Sequence, residues 1–163
     1  MTRILAIDPG YERLGIAILE KENGKERLLY SDCFKTKATI PHHQRLSLLA
    51  EEIKRVINEY QPKSLAIETL LFNSNQKTAL KVAEARGAIL ASASSLGLEV
   101  FEYTPLQIKI AVTGYGRSDK NQMISMVKKL IAVPDGKAQD DEYDAIACGL
   151  TCLASEKQLS THS

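Results

Sequence analysis

No apolar run in this chain approaches the roughly 20 residues that a membrane-spanning helix needs, which excludes a helical membrane protein. Neither sign of charge dominates. Lys and Arg number 21 against 20 Asp and Glu, a formal net charge of +1, which is not the strongly basic balance of a dedicated nucleic-acid binder. Any basic surface must therefore come from distribution, and Arg117, Lys120, Lys128 and Lys129 fall in one short stretch while Lys77, Lys81 and Arg86 share another. Cysteine is scarce. Cys33, Cys148 and Cys152 form an odd set without framework spacing, so reduced, buried thiols are expected rather than disulfides. Cys148 and Cys152 stand at i, i+4, but two thiols with no histidine nearby do not make a zinc site. The first residues enter a strand directly, without the charged and apolar regions of a signal peptide, and a cytoplasmic location is the expectation.

With 163 residues and an ordinary hydrophobic share of 44%, the chain reads as one domain over residues 1–154, with a polar tail over 155–163 that should be flexible. Short apolar runs predict strands over Arg3–Ile7, Leu14–Lys21 and Arg27–Phe34. Pro9-Gly10 turns between the first two, and Asn23-Gly24 marks a hairpin between the next two. Leu46, Leu49, Ile53, Val56, Ile57 and Tyr60 recur at helical spacing until Pro62 stops them before a strand over Ser64–Ile67. A long helix over Gln76–Leu96 ends at Gly97, and Glu99–Tyr103 is the last strand. Helices over Lys120–Leu130 and Asp141–Leu153 close the chain. Hairpins followed by alternating helices and strands predict an α/β fold with a five-stranded mixed sheet flanked by helices on both faces.

Acids stand where a buried strand ends. Asp8 follows Ile4-Leu5-Ala6-Ile7, Glu68 follows Leu65-Ala66-Ile67, and Asp141 and Asp144 open the last helix one turn apart, on one face. Each has a plain alternative: Asp8 as a turn initiator before Pro-Gly, Asp141 as a helix cap. Glu68 and Asp144 fit such roles poorly, since Glu is disfavoured in strands and Asp144 lies beyond the cap position. A carboxylate at a strand end is costly to desolvate unless it is paired or binds a cation. A site of oxygen ligands alone suits Mg²⁺ or Mn²⁺, so the set reads as a metal-dependent phosphodiester-cleaving centre.

Two further segments carry candidate chemistry. Val112-Thr113-Gly114-Tyr115-Gly116-Arg117-Ser118-Asp119-Lys120 is read as a loop entering a helix. It reads both as a phosphate cradle with Arg117 and Lys120 adding charge and as a turn followed by a capping box of Asp119 with Gln122, and the two are compatible. Leu71-Phe72 lies in a polar loop after Glu68. Phe72, one of three phenylalanines, either stacks on a nucleobase or plugs the core. On the long helix, Ala83, Gly87 and Ala91 beside Leu80 and Leu90 form a small-residue stripe that packs either on a second helix or on the chain's own sheet.

Ile-Asp-Pro-Gly at 7–10, Ile-Glu at 67–68, Lys-Thr-Ala-Leu-Lys-Val-Ala-Glu-Ala-Arg-Gly at 77–87, Tyr-Thr-Pro-Leu-Gln-Ile-Lys at 103–109, Val-Thr-Gly-Tyr-Gly at 112–116 and Asp-Glu-Tyr-Asp-Ala at 141–145 occur in this order. In these motifs the chain resembles the RuvC family of bacterial Holliday-junction resolvases over about residues 3–153. The resemblance implies a ribonuclease H-like fold, a homodimer, and cleavage of four-way DNA junctions with two Mg²⁺ ions, Mn²⁺ being a possible substitute. It also implies partnership with the RuvA–RuvB branch-migration complex. By resemblance Asp8, Glu68, Asp141 and Asp144 are the catalytic metal ligands, Lys109 and Lys120 are basic residues near the scissile strand, and Phe72 or Leu71 takes the place of the junction-stacking aromatic. Many relatives have two aromatics there, and Arg117-Ser118 replaces commoner small residues, adding a charge. Three other readings are distinguishable. A ribonuclease H-like nuclease for RNA would keep the same acids, an actin-like ATPase would need a second phosphate loop and usually a second domain, and a shape-reading binding module would give no metal-dependent nicking.

Overall fold

The computed structural model describes residues 1–70, 76–134, 136 and 138–159. Three antiparallel strands open it: β1 (Thr2–Pro9), β2 (Arg13–Glu22) and β3 (Lys25–Lys35). Asn23 and Gly24 adopt positive φ between β2 and β3, the left-handed geometry that an Asn-Gly hairpin supplies. Next come α1 (His42–Tyr60), β4 (Ser64–Glu68), α2 (Gln76–Ser95), β5 (Glu99–Tyr103), α3 (Pro105–Thr113), α4 (Lys120–Leu130) and α5 (Asp140–Leu159). The sheet order is β3-β2-β1-β4-β5, with β1 antiparallel to β2 and parallel to β4. The expected mixed five-stranded sheet is what forms. Among the described residues, no helix is long and apolar enough to cross a membrane.

Alternation along the strands divides the core in two. Leu5, Ile7, Ile16, Ile18, Leu65 and Ile67 project to one face and pack on α1 and α2 through Leu49, Ile53, Val56, Ala85 and Ile89. Ala6, Ala17 and Ala66 project to the other, beneath α5 and its Ala145, Ile146 and Cys148. The two faces differ in relief. Branched side chains hold α1 and α2 away from the sheet, whereas the alanines let α5 come close. Gly149 of α5 sits so near that a Cβ there would lie 2.5 Å from Leu19 and 3.0 Å from Ala6, and a Cβ on Gly15 of β2 would meet the Asp141 carbonyl oxygen at 2.0 Å.

Beyond shifts of one or two residues at strand and helix ends, two features differ from the sequence reading. The segment after β5 holds an additional helix, α3. Thr104 caps it by accepting from the Gln107 amide while the Gln107 side chain accepts from the Thr104 amide, and Pro105 occupies the first turn. The expected loop over 112–120 is accordingly shorter, since Val112 and Thr113 finish α3 and Gly114 closes it in the left-handed conformation. The second difference lies in α5, which runs to Leu159 rather than Leu153 and so takes in the first residues of the expected flexible tail. No Gly or Pro interrupts that stretch, and Ser155 Oγ donates to the Thr151 carbonyl.

Gly15→Ala is expected to force the start of α5 off the sheet. Overpacking of this kind costs about 1–3 kcal/mol, so the variant should show a lower urea midpoint with an unchanged m-value. A midpoint equal to that of the parent would mean that the helix start can yield freely.

Candidate active site

The alternation that sorts the core also aims the strand-end acids. Asp8 is two residues beyond Ala6 and Glu68 two beyond Ala66, and Ala6 faces Ala66 in the parallel register of β1 and β4. Both carboxylates thus emerge on the face that α5 covers. The close seat of α5 over Gly15, which pairs with Asp8, brings Asp141 and Asp144 down to them. Asp8, Asp141 and Asp144 each offer a ligand atom within 4.8 Å of the others. Glu68 stands beside them, close enough to act on Asp8 electrostatically and lining one cleft with Asp144.

Such crowding opposes ionisation. Burial, followed by the fields of Glu68, Asp144 and Asp141, raises Asp8 well above the ordinary carboxylate range. Glu68 is raised by burial against the lowering effects of neighbouring Asp8, Lys120 and Lys109. Burial also raises Asp144, although Lys120 Nζ donates to its Oδ2 at 2.7 Å. Burial works against the Lys120 ammonium too, but the bond to Asp144 prevails and keeps it protonated. Asp141 has its own supports, the Cys33 thiol donating to Oδ2 at 3.5 Å and Arg13 Nε standing 3.4 Å from the same oxygen. Burial, then Asp141, pushes the Cys33 thiol up to about 11. It therefore acts as a neutral donor.

The chemistry of this donor set fits a divalent cation. The converging groups are hard carboxylate oxygens, their crowding is relieved by positive charge, and they remain partly open to solvent. Beside them a cleft of about 110 Å³ is lined by Glu68, Lys109, Met123 and Asp144, with Pro105, Ile108 and Ala147. Lys109 and Lys120 thus border the acids as predicted. Arg117 is exposed at the start of the segment leading to α4. That helix begins with the capping box: Asp119 accepts from the Gln122 amide at 2.8 Å, and Gln122 Oε1 accepts from the Asp119 amide at 2.9 Å. The capping box reading is thus what forms at the start of α4. Leu71 and Phe72 lie outside the described residues.

Sequence reasoning overlooked the residues that place the acids. Gly15 clears space for α5, Cys33 and Arg13 hold Asp141, and Arg86 Nε donates to the Glu68 carbonyl at 3.2 Å while its guanidinium pairs with Glu102. Gly15 alone left a trace, as an isolated glycine within a strand pattern that marks close backbone approach.

The model of crossover junction endodeoxyribonuclease RuvC matches residues 4–152. The crossover junction endodeoxyribonuclease RuvC of Desulfitobacterium hafniense is 43% identical over 147 residues, covering 90% of this chain and 89% of its own. That of Thermosipho melanesiensis is 42% identical over 154 residues, covering 94% and 98%. Among solved structures, T. thermophilus RuvC in complex with Holliday junction substrate superimposes with a TM-score of 0.90 at 28% identity, covering 97% of this chain and 96% of that one.

The raised carboxylates set the pH dependence of the metal-free protein. The native state binds their protons more tightly than the unfolded chain. Their contribution is therefore full below the ordinary value of 3.8 for Asp and is lost as pH rises through the raised native values. Near neutrality the ionised cluster destabilises the fold. Asp8→Asn should accordingly raise the Tm in EDTA at neutral pH, flatten its decline with pH, and reduce the further rise that Mg²⁺ gives the parent. Calorimetry over a pH series tests this, and a lower Tm for the variant in EDTA would contradict it.

Proposed function

The chain belongs to the RuvC family and is a crossover junction endodeoxyribonuclease with a ribonuclease H-like fold, a resolvase of Holliday junctions; on that premise we propose that Asp8, Glu68, Asp141 and Asp144 are its metal-binding catalytic acids and Mg²⁺ their cation. The observation that carries this proposal is the convergence of carboxylates from β1, β4 and α5 on one partly open point. A divalent cation bound there would supply charge neutralisation at the phosphoryl oxygens and acidify the attacking water. Asp8, beside Glu68 and the α5 pair, would hold it together with Glu68, Asp141 and Asp144. Lys120 brings a fixed positive charge to the edge of the cluster, where it favours the extra negative charge of the phosphorane-like transition state. Lys109 and Arg117 bind the DNA backbone. Attack at phosphorus expels the 3′ oxygen and leaves a 5′-phosphate, an end that a ligase can seal.

The remaining parts of the reading concern assembly. A four-way junction has approximate two-fold symmetry, so a homodimer with one centre per subunit nicks two like-oriented strands. The small-residue stripe on α2 supports this. Gly87 and Ala91 are exposed, a Cβ on Gly87 would meet nothing within 4 Å, and Leu80 is 63% exposed. The buried face of α2 is instead Ala85, Ile89 and Ala93. The stripe is thus free to receive the α2 helix of a second subunit. The RuvA–RuvB branch-migration complex is the proposed partner and the cytoplasm the proposed location. Phe72, with Leu71 beside it, is proposed to stack on an unpaired junction base.

A synthetic four-way junction, incubated with and without Mg²⁺ and compared with duplex DNA and an RNA–DNA hybrid, tests the function. Paired nicks in the junction alone, only with Mg²⁺, are expected. Glu68→Gln should abolish cleavage while junction affinity stays within about threefold, since affinity derives mainly from phosphate contacts; near-normal cleavage would remove Glu68 from the site. For Phe72→Ala, the loss of a stacked base of about 1–3 kcal/mol predicts roughly 5- to 150-fold slower junction cleavage with an unchanged Tm. A large fall in Tm with normal cleavage would identify Phe72 as a core plug.

A further inference from the structure

Arg13 holds a place that the proposed mechanism does not use. It opens β2 on the α5 face of the sheet, two residues before Gly15, and its Nε lies 3.4 Å from Asp141 Oδ2 while its side chain remains 57% exposed. The contact is an ion pair at the site's edge, and mobile side chains in water exchange such partners readily. Across β2 and β3, Arg13 is in register with Lys35, so two like charges stand side by side on one face, an arrangement that repels unless an anion lies against it. Asp141 partly meets that need in the metal-free state. On the far side of the cluster, Lys120 makes the corresponding pair with Asp144.

We propose that Arg13 is a substrate-binding residue at the catalytic centre, exchanging Asp141 for a DNA phosphate when the carboxylates bind their cation. The inference rests on the metal-dependent nuclease reading above. In the metal-free protein, Asp141 is the anion nearest Arg13. Once the charge of Asp141 is neutralised by a cation, its attraction for the guanidinium falls and the cation repels it. The strand lying over the centre then presents the best remaining anion, and a guanidinium binds phosphate through two parallel N–H donors. Arg13 and Lys120 thereby grip the cleaved strand from opposite sides of the acids. Lys35 adds positive potential beside Arg13.

The proposal separates from mere charge balance in the salt dependence of binding. Affinity of the full-length protein for a synthetic four-way junction is measured over a salt series, in Ca²⁺ and again in EDTA. In Ca²⁺, which fills oxygen sites with looser geometry, Arg13→Ala should weaken binding several-fold. It should also make the slope of log K against log salt shallower by about 0.9, one phosphate contact. Arg13→Lys should restore the slope. In EDTA the slopes of parent and Arg13→Ala should agree, because Arg13 is then held by Asp141. An unchanged slope for Arg13→Ala in Ca²⁺ would overturn the proposal, and so would an equal loss of slope in both conditions. Should Arg13→Ala fail to fold, Arg13→Gln provides the same comparison. Parent cleavage of the junction in Mg²⁺ is scored alongside. Its absence would remove the nuclease reading on which the inference rests, whereas normal cleavage with an unchanged slope would remove Arg13 alone.

Discussion

The distance between α5 and the sheet governs this molecule. Two of the four clustered acids belong to strands and two to a helix, and they come together because the helix lies close on the sheet. Ala6, Ala17 and Ala66 pave the sheet beneath it, Gly149 lies against Leu19 and Ala6, and Gly15 leaves room for the Asp141 carbonyl. Larger residues at these positions would keep a hydrophobic core and lift Asp141 and Asp144 away from Asp8. The opposite face carries such residues in Leu5, Ile7, Ile16, Ile18, Leu65 and Ile67.

Bringing carboxylates together in a partly buried place opposes stability, and the surroundings show how the charge is managed. Asp8 is held above the ordinary carboxylate range beside Glu68, Lys120 pairs with Asp144, and Cys33 with Arg13 supports Asp141. None of these devices closes the cluster permanently. An ion pair in water opens, and a thiol pushed up to about 11 donates without competing as an anion. The site is balanced for exchange, which places it among the regions where a protein gives up stability for activity.

The surrounding supports lie on several elements. Arg86 of α2 fastens the end of β4 by its bond to the Glu68 carbonyl, α3 and α4 carry Lys109 and Lys120 to the border of the cleft, and β2 and β3 supply Arg13 and Cys33. Every layer of the fold thus contributes to one locus at the ends of β1 and β4. The chain needs no second domain to form it.

Much of this was legible in the residues alone. Period-two and helical patterning located the five strands, and the acids stood out because a strand end is an expensive place for a carboxylate. Motif order along the chain then pointed to the family. Local signals for α3 are present too, in the capping pair of Thr104 and Gln107 around Pro105. The stripe of Ala83, Gly87 and Ala91 could not be assigned to core or surface from spacing, since small residues suit both, and only packing showed that Ala85, Ile89 and Ala93 face inward. By itself the sequence determined which residues carry negative charge at element ends and which periodicity surrounds them, because both depend on neighbours along the chain. The convergence of those charges, the partners of Asp141 and the open face of α2 were decided by tertiary structure, because each depends on how closely elements distant in sequence pack against one another.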